Sequence, residues 1–283
     1  MRAGVIGLGV GEQHIIGYRG AGITDIDICD FNDDKARLVA ACDGLTPWPA
    51  SKWQNMIVGC DIVSVASWDQ YHAEQVCYAL ECRKAVMCEK PLCLTREELD
   101  RIKAIPGRLA CNFPLLQGFL DTVLPYYDDI RQIELTYNWG RAHKLAGWRA
   151  QCPNYSIVHG AGSHLVSLIE TNWGSPETVV VNGTDTRVQA ILTYPEDRIA
   201  TLDINCGEEG QHQHILKCIT TDGSIAVHSE MRTDKSEAVR QFAVNVMNGE
   251  DCVAEREHAI NVMEICLRIQ DAVNENQVCQ AAD

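Results

Sequence analysis

The first 113 residues alternate between two hydrophobic periods. Short apolar runs have the length and make-up of buried strands: Gly4 to Gly7, Ile26 to Cys29, Asp61 to Ala66, Ala85 to Cys88 and Leu109 to Cys111. Helical patterns lie between them. Ala73, Val76, Cys77 and Leu80 recur at i, i+3, i+4 and i+7, one face of a helix. Thr95 and Glu98 have the spacing of a capping box just before Leu99, which marks another helix start. Strand–helix alternation of this kind predicts βαβ units and a parallel sheet.

The period changes after about Pro114. Strand-like segments now follow one another: Gln132 to Trp139, Thr178 to Asn182, Arg187 to Thr193, Ile199 to Asn205 and Ile215 to Thr220. Asp222-Gly223 before Ser224 to Val227 is a hairpin turn signal. A helical stretch near Gly162 to Thr171 interrupts the strands. A last helix carries Ala259, Val262, Cys266, Ile269 and Val273 on one stripe. The expected class is α/β. An N-terminal Rossmann-type parallel sheet spans residues 1–113, and a C-terminal α+β domain with a mostly antiparallel open sheet spans 114–283.

Composition narrows the function. Apolar residues are 46% and charged residues 22%, which excludes wholesale disorder. Lys plus Arg minus Asp plus Glu is 24 − 39 = −15, against a nucleic-acid or anionic-membrane partner. Any anionic ligand must then be held by local features. No apolar run reaches the ~18 residues of a membrane span, and glycines break the N-terminal apolar run too early for an export signal. The 14 cysteines include no C-x-x-C pair, so zinc-ribbon and thioredoxin-like motifs are absent. The expectation is a reducing cytoplasm, with thiols such as Cys29, Cys88 and Cys111 acting as small buried hydrophobes.

The turn after the first strand reads Gly7-Leu8-Gly9-Val10-Gly11-Glu12. It is close to G-x-G-x-x-G, with the third glycine one place early. Such a turn lets backbone approach a pyrophosphate at a helix N-terminus. Asp30 ends the second strand 23 residues after Gly7. A carboxylate there accepts ribose hydroxyls and repels a 2′-phosphate. Phe31 follows it, with no adjacent Arg or Lys, so NAD is favoured over NADP. Asp30 also reads as an N-cap for a helix from Asp33 to Ala41.

Charged residues follow the fourth strand directly, in Val86-Met87-Cys88-Glu89-Lys90-Pro91-Leu92. Together with Asp61 to Ala66 and Gln70-Tyr71-His72-Ala73, this segment resembles the glucose–fructose oxidoreductase/inositol dehydrogenase (Gfo/Idh/MocA) family. The resemblance covers the first domain and, more loosely, the second. It implies that Lys90 lies between nicotinamide and substrate and polarises the reacting hydroxyl. It implies that Glu89 and His72 line the cofactor groove, with Ser67 and Trp68 near the ribose or nicotinamide, Asn112 near the nicotinamide, and a cis Lys90-Pro91 peptide. The cofactor-binding set is then Gly7, Leu8, Gly9, Val10, Gly11, Asp30, Ser67, Trp68, His72, Glu89, Lys90 and Asn112. A solvated strand-end lysine is the plainer reading of Lys90, and helix packing that of His14 and His72.

In the second domain, His159 to Ser167 resembles the family's D-x-G-x-H-x-x-D segment. Gly162 and His164 match, while Gly160 and Ser167 replace the two aspartates. His164 is therefore the expected proton-transfer group, with Tyr155 or His159 as substitutes. A buried core histidine is the plainer reading. Upstream, Arg141, Lys144 and Arg149 cluster with Trp139 and Trp148. They suit an anionic or sugar-like substrate, or else pair with Asp128 and Asp129. His212 and His214 share a strand face, but nothing completes a metal set, so no metal is expected.

These readings point to an NAD-dependent oxidoreductase of a sugar, cyclitol or sugar derivative. Lys90, His164 and Tyr155 are its catalytic candidates, with Arg141, Lys144, Trp148 and Arg149 on the substrate. The expected partners are a small-molecule substrate and further copies of the chain, as a homodimer or homotetramer through the C-terminal sheet. The alternatives are an imine or enone reductase on the same scaffold, or a silent NAD-binding regulator.

Overall fold

Short runs of β-branched and apolar residues build the first sheet of the computed structural model, which describes residues 1–114, 129–184, 186–207, 213–223, 225–228 and 234–281. Its strands are β1 (Arg2–Ile6), β2 (Asp25–Cys29), β3 (Thr46–Trp48), β4 (Ile62–Val65), β5 (Ala85–Glu89) and β6 (Leu109–Asn112). All pair in parallel, in the order β3-β2-β1-β4-β5-β6. Nearly every residue of β1, β2, β4 and β5 is buried, as a sheet covered on both faces requires. The three-residue β3 was not expected from the sequence. It carries Pro47 and sits at the sheet edge, where a missing N–H is tolerated.

Helices α1 (Gly11–Gly20), α2 (Asp33–Asp43), α3 (Trp53–Gly59), α4 (His72–Glu81) and α5 (Arg96–Ala104) connect these strands. The expected face of α4 is buried throughout. The Thr95 capping box is present at α5, with the Thr95 side chain accepting from Glu98 N and Glu98 accepting from Thr95 N. At the other end of α5, Arg256 donates to the carbonyls of Ile102 and Ile105, at 3.0 and 2.9 Å. It thus satisfies acceptors that a helix terminus leaves open.

The second sheet contains β7 (Ile130–Asn138), β8 (Thr178–Thr184), β9 (Arg187–Tyr194), β10 (Arg198–Asn205), β11 (Gln213–Thr220) and β12 (Ile225–His228). Its order is β12-β11-β7-β10-β9-β8. Only the β7–β10 pairing is parallel; the others are antiparallel. Residues alternate strictly, so Val188, Ala190, Leu192, Ala200, Leu202 and Ile204 share the buried face. The Ser163–Trp173 helix and the last helix, Val253–Ala281, supply the apolar residues of the same unit, including Leu165, Ile169, Val262, Cys266 and Ile269. Arg268 and Asn276 fix the last helix to the carbonyls of Pro176 and Val181, at 2.9 and 2.7 Å.

The chain forms two compact units, residues 1–113 with 234–260, and residues 114–233 with 261–283. It therefore crosses between them three times, and a single break after residue 113 leaves out the returning segment. The Lys235–Met247 helix packs on α1 through Val239, Phe242, Ala243 and Val246, which join the core formed by Ala3, Val5, Ile15 and Tyr18. Gly17 permits this. A Cβ there would stand 2.8 Å from Val239 Cβ. Gly17→Val should therefore destabilise the first unit by about 1–3 kcal/mol through overpacking, measurable as a lower urea midpoint. An unchanged midpoint would mean that this helix pair is not close-packed.

Candidate active site

The glycine turn divides its work among three residues. Gly7 has φ of 88°, and its N–H donates to Cys29 O at 2.8 Å. A Cβ at Gly7 would press on the backbone of Ala66, so both conformation and space demand glycine. A Cβ at Gly11 would lie 2.9 Å from Val5 Cγ1, so α1 packs tightly on β1. Gly9 differs. A Cβ there would meet nothing within 4 Å, leaving one side of the turn open to a ligand. No side-chain cap closes the N-terminus of α1, the end that the turn feeds. The residues present thus fit a dinucleotide pyrophosphate.

Asp30 is buried at the end of β2 and accepts from Leu8 N at 2.7 Å and Asn32 N at 2.9 Å. It does not cap α2. Asn32 does, accepting from Lys35 N. Lys35 comes back to the turn, with Nζ 2.7 Å from Leu8 O and 3.0 Å from Glu12. Sequence adjacency missed this cation because one helical turn separates it from Asp30.

Behind Lys90 lies a buried polar network that the sequence did not signal. His14 on α1 meets Ser64 Oγ through Nδ1 at 2.8 Å and Glu89 Oε1 through Nε2 at 3.1 Å. Tyr18 OH lies 2.8 Å from Ser64 Oγ. Asn112 donates to Glu89 at 2.9 Å and to Lys235 O at 3.0 Å. Burial opposes ionisation of Glu89. His14, Lys235 and Lys90 outweigh it and hold the carboxyl below its ordinary range. The sequence analysis placed Glu89 and Asn112 at the cofactor but read His14 as helix packing, so the network that joins them was missed.

The remaining groups of the first unit take supporting places. His72 is buried, with its ring nitrogens 2.6 Å from Pro91 O and 3.1 Å from Ser67 O. It braces the loop after β5. Ser67 donates to Gln75 at 2.7 Å. The Lys90-Pro91 peptide is cis. Trp68 lies against Phe31, with ring centroids 4.9 Å apart.

In the second unit a π-helical turn, Val158–Gly162, leads into the Ser163–Trp173 helix. His164 stands at its start, buried, 6.3 Å between ring centroids from Tyr137. Tyr137 also packs on His214, at 4.1 Å. Tyr155 lies over Gly160, where a Cβ would fall 2.6 Å from its Cζ and closer still to its hydroxyl. The Arg149 guanidinium sits 5.1 Å from the Tyr155 ring centroid. Arg141 exerts its charge on Tyr137. For Lys144 and Trp148 only the backbone is described, in the short turns His143–Ala146 and Trp148–Gln151. His212, Asp128 and Ser224 lie outside the described residues. Among the described residues no group of three His, Cys, Asp or Glu could hold a metal.

His159 is buried in the π-helical turn. Its Nδ1 meets Ser156 Oγ at 2.9 Å, and burial pushes its pKa down to about 4, opposed by the charge of Asp271. The ring is neutral near pH 7. Buried thiols are inert, with Cys29 raised to about 12 by burial. Because an unfolded imidazole titrates near ~6.5, the unfolded state binds the extra proton first. Stability should be full above that pH and fall as pH drops toward about 4, by about 3 kcal/mol in all. Urea midpoints across this range check it. His159→Gln should flatten the limb, and a limb of unchanged steepness would refute the assignment.

The first unit is thus a dinucleotide-binding domain of the doubly wound class. Residues 1–111 match the Gfo/Idh/MocA family, described as an oxidoreductase family with an NAD-binding Rossmann fold. Over that stretch the chain is similar to the family's NAD-binding domain. An inositol 2-dehydrogenase of Klebsiella pneumoniae is 35% identical over 107 residues, which covers 36% of this chain and 32% of the relative. The match therefore spans about a third of that relative's length. A myo-inositol 2-dehydrogenase structure from Lactobacillus plantarum superposes with TM-score 0.83 at 17% identity, covering 98% of both chains. A scyllo-inositol dehydrogenase from Lactobacillus casei, solved with NAD(H) and scyllo-inositol, gives 0.81 at 14% identity over 98% of this chain and 97% of that one. At such identities the likeness shows the fold alone. No helix among the described residues is long and apolar enough to cross a membrane.

Proposed function

We propose that the chain is an NAD-dependent oxidoreductase that moves a hydride between nicotinamide and a secondary alcohol or ketone of a sugar, cyclitol or sugar derivative. The observation that carries this reading is the carboxyl edge of the first sheet. There the open glycine turn, the pinned Asp30 carboxylate and Lys90 are held on one rigid scaffold. Ligands of doubly wound sheets bind at that edge. The inositol dehydrogenases among the relatives support the substrate class.

The cofactor, when bound, supplies the hydride acceptor. This chain's residues do the rest. The Lys90 ammonium donates a hydrogen bond to the reacting oxygen and favours the alkoxide-like charge that builds there. His164 takes the hydroxyl proton, with Tyr155 as the second group able to hold it. Arg141, Lys144, Trp148 and Arg149 would shape the site for an acidic or ring-shaped substrate. Val180, Ile191 and Ile199 are exposed on one face of the second sheet, which suits association of copies through that face.

NAD should bind more tightly than NADP. Asp30 repels a 2′-phosphate, and Lys35 is already engaged by Leu8 O and Glu12. Calorimetric titration with both cofactors decides this, and equal or tighter NADP binding would overturn it.

Lys90→Ala should lower turnover ~10²-fold or more while NAD affinity changes little. The assay uses a panel of cyclitols, sugars, sugar acids, and imine and enone substrates. Normal turnover in the variant removes Lys90 from the chemistry. Activity confined to the imines or enones transfers the same scaffold to a reductase.

A further inference from the structure

Two neighbours place the Tyr155 side chain. Its hydroxyl lies over Gly160, in the space a Cβ would need, so the phenol closes on the helix backbone itself. The Arg149 guanidinium sits 5.1 Å from the ring centroid, within the range of a cation–π contact. Gly160 belongs to the first turn of the helical run that opens at Val158 and continues to Trp173. The phenol oxygen is therefore beside a guanidinium and at the positive end of a helix. His164 follows Gly160 by four residues. Helical side chains lean back toward the N-terminus, so a side chain at 164 leans toward the turn that the phenol touches. The imidazole is 7% exposed, whereas Tyr155 and Arg149 are only half-buried. Of the other groups here, His159 is engaged by Ser156 and neutral near pH 7, and burial keeps the Tyr137 phenol protonated against His164.

A proton that enters or leaves a buried imidazole needs a group that reaches water. We propose that Tyr155 is the proton outlet of His164, and that Arg149 is the positioning residue that holds its ring and favours its phenolate. The inference rests on the hydride-transfer reading and gives Arg149 a task besides shaping the substrate site. Carbonyl reduction consumes a proton. The Tyr155 O–H bond breaks, the proton bonds to the ring nitrogen that His164 has just emptied, and a phenolate is left between the guanidinium and the helix end. Water then reprotonates it. Alcohol oxidation runs the same steps backwards. Partial burial opposes the phenolate, and an opposite charge within ~4–6 Å outweighs it. The glycine is part of the device, because any side chain at 160 would lift the phenol off the helix.

The test follows the tyrosinate ultraviolet absorbance of the full chain against pH, which needs neither cofactor nor substrate. Subtracting the Tyr155→Phe variant isolates one phenol. Its absorbance should rise below the ~10 of a free tyrosine. Arg149→Gln should move the rise to higher pH, with Arg149→Lys between the two. Gly160→Ala, which displaces the phenol but keeps it, should also move the rise up. Circular dichroism matched to wild type separates these shifts from unfolding. With NAD and scyllo-inositol as the probe, Arg149→Gln should lower kcat ~10-fold or more at unchanged KM, and the pH profile of kcat should move with the absorbance. A Tyr155 rise in the ordinary range, or one that Arg149→Gln leaves in place, overturns the proposal. So does a raised KM with kcat intact, which returns Arg149 to the substrate alone. If wild type turns over no cyclitol or sugar, the outlet falls with the hydride-transfer reading, whereas the absorbance shifts still decide whether Arg149 governs Tyr155.

Discussion

The first unit turns on one buried contact, between His14 on α1 and Glu89 at the end of β5. Both side chains are almost wholly out of water, 3.1 Å apart. A carboxylate in that position must be neutralised or paired, since its hydration is lost. Here it is paired: His14 and Asn112 reach one oxygen, and the charges of Lys235 and Lys90 favour ionisation. The contact also ties two elements together. His14 sits one turn into the helix that follows the glycine turn, and Glu89 immediately precedes Lys90. Removing either partner strands a buried polar group, at a cost of about 3–5 kcal/mol if the charge remains.

That network draws on residues far apart in the chain. Asn112 reaches the carbonyl of Lys235, which opens the helix that packs on α1 over Gly17. The first unit is thus completed by a segment that returns after the second sheet. A truncated chain ending near residue 113 would lose the packing of Val239 and Phe242, an acceptor for Asn112 and a cation that favours the Glu89 carboxylate.

Regular elements were legible in the sequence because burial imposes a period. The buried stripe of the last helix and the alternation of β9 and β10 follow from that alone. The Thr95 capping box was legible because its partners are three residues apart. What the sequence hid involves distance or space. The return of residues 234–260 has no periodic mark. β3 is too short and carries a proline. His14, Ser64, Glu89 and Asn112 are separated by up to 98 positions; Glu89 and Asn112 were expected at the cofactor, but their joining to His14 and Ser64 leaves no local mark in the sequence. Lys35 escaped because a helical turn, not adjacency, brings it to the glycine loop. Asp30 was placed rightly at the strand end, but capping of α2 falls to Asn32.

Gly160 shows how a departure from a family pattern acquires a physical meaning. The resemblance implies an aspartate there, and its absence alone suggests a decayed site. In this structure the space is not vacant. A Cβ at 160 would collide with the Tyr155 hydroxyl, so an aspartate and this tyrosine conformation exclude each other. The space holds a half-buried phenol with a guanidinium over its ring. A phenol in that place changes the chemistry in a definite way. A carboxylate only accepts hydrogen bonds, whereas a phenol also donates, and a cation above the ring stabilises the charge left on oxygen when it does. Decay would be expected to fill such a position with apolar packing or to leave it empty. Tyr155 instead fills it with a polar group, set over Gly160 and with the Arg149 guanidinium against its ring.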